Sequence, residues 1–173
     1  MKSLINDSVN NKLNEIIKML FLGNRIMDRA LSVMSVKFCM TKTSDLIHPR
    51  VAHIYPKLAD IISDYQSSRD CLSVYGLTPL EETDYNDPME IFDRMIDYQE
   101  DLESLITESI ELAQSESDYT TKVTLEDFLL SLVPLMNQLL LLADKMEAYK
   151  DQWMLYDANV EDWITLPIMV GKG

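Results

Sequence analysis

The chain has 173 residues, 47% hydrophobic and 25% charged, a balance that predicts one globular domain with a continuous core and argues against a disordered chain. Against 29 acidic residues stand 15 basic ones, a formal net charge of −14. Without Lys/Arg clusters to neutralise phosphates, direct nucleic-acid binding is not expected, and an anionic membrane surface repels such a chain.

Four glycines and six prolines leave few turn positions, which predicts long helices rather than many strands. The first helix is expected over about 4–39, where Leu13, Ile16, Ile17, Leu20, Asn24, Met27, Leu31 and Met34 recur at three- and four-residue steps. The second is expected over 49–75, starting at Pro49 or Pro56, with Leu58, Ile61, Ile62, Tyr65 and Leu72 as its apolar stripe and Gly76 as its stop. The third, 88–115, opens on Asp87-Pro88-Met89-Glu90, an N-cap, a proline at the first helical position and a Glu able to return a bond to the cap. Ile91, Phe92, Met95, Leu102, Leu105, Ile106 and Ala113 form its buried side. The fourth, 124–153, opens on Thr124 with Asp127 three residues later, and a kink is expected at Pro134. In the tail, 154–173, Trp163 and Ile164 fold back and the ending VGKG frays.

Together these predict an all-α four-helix bundle. The connection 76–87 either turns back locally or crosses the bundle: twelve extended residues reach about 40 Å, and a helix of ~26 residues is about 39 Å long. The run FLLSLVPLMNQLLLLA (128–143) is shorter than the roughly 20 apolar residues that span a bilayer, so no membrane insertion is expected. Cys39 and Cys71 stand alone, and the polar opening MKSLINDSVNN lacks a signal core. Reduced thiols and a cytoplasmic setting are expected. GxSxG, HExxH, GxGxxG and Walker-type loops are all missing from the sequence, so no enzymatic chemistry is predicted.

Four stretches carry a resemblance: LNEIIKML (13–20), AHIYPKLADIISDYQSSRDCLSVYGLTPLE (52–81), YQEDLESLITESIELAQSESD (98–118) and EDFLLSLVPLMNQ (126–138). In these the chain resembles the ferritin-like superfamily, its Dps branch above all. The resemblance implies iron oxidation or storage, with carboxylates and histidines of facing helices holding two irons. His53 falls where a Dps-like histidine opens the second helix. The histidine at the end of the first helix falls near Thr41 or Lys42, and the second-helix acids near Gln66 and Asp70. The metal site is therefore expected to be lost; if one is present, its ligands come from His53, His48, Asp45 and Asp70, gathered between subunits.

Helical phase places Arg69 on the stripe of the second helix, with Asp28, Glu103 and Glu147 near the stripe edges of the others, which predicts a buried polar network among these four. Alternatively, Arg69 snorkels to the rim with its stem packed. Asp93, Asp97, Glu100, Glu108 and Glu111 share an acidic solvent face on the third helix. Surplus apolar residues (Met19, Phe21, Leu22, Leu129 and Leu130) point to a homo-oligomer, a dimer first. The functional expectation is a non-enzymatic protein acting through protein–protein interaction, with no cofactor. The alternatives are a divergent Dps-like or ferritin-like iron protein, with iron as cofactor, and an acidic inhibitor that imitates nucleic acid against a basic protein partner.

Overall fold

The computed structural model describes residues 3–168, and every regular element among them is helical. In chain order these are α1 (Asp7–Lys37), α2 (Thr41–Ile47), a π turn (His48–Ala52), α3 (Ile54–Ser68), α4 (Pro88–Ser115), α5 (Tyr119–Tyr149), α6 (Trp153–Asn159) and a 3-10 turn (Val160–Trp163). The all-helical expectation is met. The four-helix count is not, because 41–68 is divided and the tail has helical turns of its own. The ending VGKG lies outside the described residues.

The α1 stripe is buried as its periodicity requires, from Leu13 through Ile17 and Leu20 to Met34. Each such side chain contributes about 1.5–3 kcal/mol on leaving water. Helix α3 runs antiparallel to α1, since Gln66 near its end meets Asn10 and Asn14 near the start of α1. Helix α4 is antiparallel to α1 as well: Tyr98 reaches Met19, and Lys12 pairs with Glu108. Helices α3 and α4 therefore run the same way, and the chain between them must travel the length of α1.

It does so as an extended strap. The helix expected over 49–75 ends at Ser68, with Asp70 in the left-handed region (φ 55°) and the Cys71 N–H returning to the Gln66 carbonyl at 2.9 Å. Gly76 is not the stop. Leu72 and Tyr75, expected within that helix, lie on the strap and are exposed. Along α1, Asn14 accepts from the Val74 N–H, Arg29 donates to the Thr83 carbonyl, and Lys37 holds Asp84 at 2.9 Å. The Asp84 carboxyl is held below its usual range chiefly by the Lys37 hydrogen bond.

Buried Gln66 joins these parts. Its amide donates to Asn10 and Asn14 (2.8 and 2.9 Å), and its oxygen accepts from Ser73 (2.8 Å). A buried amide satisfied on both sides fixes the ends of α1, α3 and the strap together.

Gly23 is the contact point of α1 and α4. A Cβ there would collide with the Tyr98 hydroxyl, which donates to the Met19 carbonyl at 2.7 Å. The bare backbone lets the buried phenol reach the helix itself.

Helix α4 starts on the predicted cap, with Asp87 accepting from the Met89 and Glu90 N–H groups. Glu90 returns its bond to the Asn86 N–H instead of to the cap residue. Helix α5 begins five residues before the expected Thr124: Asp118 caps it, and the Thr124 hydroxyl turns back to the Thr120 carbonyl. It passes Pro134 without interruption, because Pro134 is exposed and the carbonyl it frees can face water. At 31 residues α5 is long and apolar enough to cross a bilayer by length and composition, which the run 128–143 alone is not, and 39% of its most apolar 18 residues are buried. Its inner side belongs to the core through Leu125, Phe128, Leu132, Leu135 and Leu139.

The tail folds back as expected. Gln138 donates to the Trp163 carbonyl and accepts from the Thr165 and Leu166 N–H groups. Trp163 packs, tilted, against the rings of Tyr149 and Tyr156. Asp157 of α6 receives the Lys42 and Thr43 N–H groups at the start of α2, which has no cap of its own.

Gly23→Ala is expected to cost about 1–3 kcal/mol by overpacking against Tyr98, despite the better helix propensity of alanine; urea denaturation measures it. Ser117, at φ 60° beyond α4, is expected to stabilise by about 1 kcal/mol when changed to glycine, a gain read in the same experiment.

Candidate functional site

His48 and His53, the chain's two histidines, sit at either end of the π turn. In an α-helix residues five apart lie about 140° round the axis. Here the His53 N–H bonds to the His48 carbonyl at 3.2 Å, so the wider turn carries both imidazoles to one side. Their ring centroids are 4.3 Å apart. Two prolines make room for this path. Pro49 enters the turn without an N–H to place. Pro56 withholds the N–H that would reach the Ala52 carbonyl, and the Asn24 side-chain amide supplies that bond at 3.1 Å.

One turn along α1 from Asn24 lies Asp28, whose Oδ1 is 3.0 Å from His48 Nε2. One ligand atom from each of Asp28, His48 and His53 lies within 4.8 Å of the others. Asp28 and His53 border an open cleft of about 340 Å³, which Lys57 also lines. The cluster gathers two of the four conditional ligands, His48 and His53. Asp45 is exposed on α2 outside the cluster. Asp70 is at the opposite end of α3, about 25 Å away at 1.5 Å per residue. The acid that completes the group is Asp28, which helical phase alone assigns to the Arg69 network.

The predicted buried network is not assembled. Among the described residues no ion pair links Arg69 to Asp28, Glu103 or Glu147. Arg69 caps α3 at its C-terminal end, half-buried, with its Nε enclosed and without a hydrogen-bond partner. Glu103 accepts from Gln99, and Glu147 borders a cleft beside Lys150 and Trp153. The helix ending at Ser68 explains the difference: Arg69 has left the phase that put it on the stripe.

Among the described residues, the interior position implied by the ferritin-like resemblance offers one half-buried carboxylate, Glu103, and no imidazole. The buried polar residues are Thr43, Ser44, Gln66, Gln99, Ser109, Thr121 and Gln138. In the centre the Tyr55 hydroxyl donates to Gln99, which donates to Glu103. A phenol, an amide and a single carboxylate do not fit a pair of irons, which needs several carboxylates and imidazoles.

Two surfaces complete the candidates. Asp93, Asp97, Glu100, Glu108 and Glu111 are exposed along α4. Partial burial, then Asp97, Asp87 and Glu90, push the Asp93 carboxyl up. On α5, Val123, Leu130, Val133 and Leu140 are exposed, Leu130 at 68%. The strap adds Leu72, Leu77 and Leu80.

The molecule is thus an all-helical protein with a histidine-bearing π turn on its surface. Neither a known protein-family model nor a curated protein matches the chain.

Burial, and then Glu103, raise the Tyr55 phenol above its ordinary value; burial does the same for Tyr98 and Tyr156. A phenol whose folded pKa lies above its unfolded value favours the folded state until it ionises in the unfolded chain. Stability is therefore expected to hold below about pH 10 and to fall as pH rises beyond it. Absorbance titration is expected to show these three ionising only with loss of the helical circular dichroism signal.

Proposed function

We propose that the chain is a ferritin-like four-helix bundle protein that works by protein–protein contact, first with a second copy of itself, and not by catalysis. The connectivity supports the architecture: two antiparallel pairs, α1 with α3 and α4 with α5, are joined by a strap that leaves α3 and α4 parallel. The amide and phenol interior supports a bundle that does not oxidise iron there. The free thiols at Cys39 and Cys71 support a reducing, cytoplasmic setting.

The observation that carries the reading is the outer face of α5. No charged residue occurs from Phe128 to Ala143, yet Leu130, Val133 and Leu140 face outward in a row. From Leu130 to Leu140 the row is about 15 Å long. A strongly basic partner would seek the acidic face of α4. An uncharged apolar ridge on a chain of net charge −14 suits an identical ridge, which a two-fold axis brings together without setting acidic surfaces opposite one another along it.

Sedimentation equilibrium is expected to give twice the 20.0 kDa chain mass at micromolar concentration, with Leu130→Glu returning the protein to one chain mass at unchanged helicity. A monomeric parent protein across that range would exclude the dimer.

A further inference from the structure

We propose that Asp28, His48 and His53 form a mononuclear site for a divalent transition-metal ion of the zinc type, held by two imidazoles and one carboxylate with its remaining positions open to solvent. The site is complete within one protomer and does not rest on the dimer reading.

The chemistry of the donors selects the ion class. Two imidazole nitrogens disfavour calcium and magnesium, which prefer oxygen, and suit zinc or its first-row neighbours. The geometry is close to what such an ion demands. With bonds of about 2.0–2.2 Å in a tetrahedron, neighbouring donors lie roughly 3.3 Å apart. His48 Nε2 and Asp28 Oδ1 are already at 3.0 Å, and the third donor lies within 4.8 Å. His53 is exposed, so a rotation of its side chain can close that gap without moving the backbone.

An Asp28–His48 ion pair alone accounts for two of the three groups. It does not account for the second imidazole, which the π turn sets beside the first, tilted, at 4.3 Å. Two such rings repel when both are protonated, whereas as neutral ligands both can turn a nitrogen to one cation. Both histidines of the chain converge on one carboxylate, and the net charge of −14 favours a cation at the surface. Lys57 lines the same cleft and opposes it. With three protein ligands in an open site, the affinity expected is on the order of micromolar. The bound ion would tie the π turn to α1.

Zinc chloride titrated by calorimetry into the full chain, free of any histidine tag, is expected to bind at one ion per protomer. Because the chain has two histidines, ring-selective nitrogen spectra report on the site alone, and both imidazoles are expected to shift together. His53→Ala and Asp28→Asn are each expected to weaken binding at least about tenfold, with unchanged circular dichroism. Asp45→Asn and Asp70→Asn leave it intact. Both decisive residues are exposed, so loss of fold does not obscure the result. Absence of saturable binding, or binding that survives His53→Ala and Asp28→Asn together, would place zinc on the general acidic surface and overturn the site. Leu130→Glu, which tests the dimer, leaves zinc binding unchanged.

Discussion

The segment between α3 and α4 has no helix or strand of its own, so its path depends on what α1 offers it. The backbone groups of an extended chain need partners or water, and α1 supplies Asn14, Arg29 and Lys37 at intervals along its length. That row of polar donors and acceptors turns an otherwise loose connection into a fixed strap. The order of the long helices depends on it in turn. With the strap held at full length, α4 must start at the far end of α1 from Gln66 and run parallel to α3. A local turn would have reversed α4 and brought different faces into contact.

The same constraint explains the buried polar centre. Gln66, at the corner where α3 ends and the strap begins, needs donors and acceptors from both, and it finds them in Asn10, Asn14 and Ser73. Where the long helices meet in mid-length, Gly23 admits Tyr98, and Tyr98 stands edge-on to Tyr55 at 5.3 Å. Tyr98 is satisfied by the Met19 carbonyl, and Tyr55 leads through Gln99 to the half-buried Glu103 carboxylate, so each polar group of this water-poor interior has a partner.

Much of the fold is legible in single positions. The cap at Asp87 with Pro88 predicts the start of α4, and the three- and four-residue spacing from Leu13 to Met34 predicts the α1 core face. Both depend on local rules, and both match the structure. The second helix differs because Leu72 and Tyr75 keep a helical spacing that no backbone realises. The true stop is Asp70, a non-glycine residue at positive φ, which composition does not flag. Cys39 and Ser117 lie at positive φ just beyond α1 and α4, and Lys150 caps α5 at positive φ. A chain with four glycines thus ends its long helices on residues that carry a local strain. The histidine site is hidden for a related reason. Pro49 and Pro56 each look like a helix start, whereas together they frame a π turn, and the 100° step of an α-helix misplaces every side chain across it. That step pairs Asp28 with Arg69, a residue at the other end of α3.

A π turn holds one residue more than an α turn, which makes 48–52 a register device as well as a bend. Removing any one residue there would let α2 and α3 join as a continuous helix, with α2 and all that precedes the join rotated by about 100° relative to α3. Thr43 would swing away from Asp157, and the start of α2 would lose the cap that α6 provides. Helix α2 and the C-terminal segment are therefore geared through this single inserted residue. In a lineage of such chains, a gain or loss at this point would have to be matched by change in the C-terminal segment.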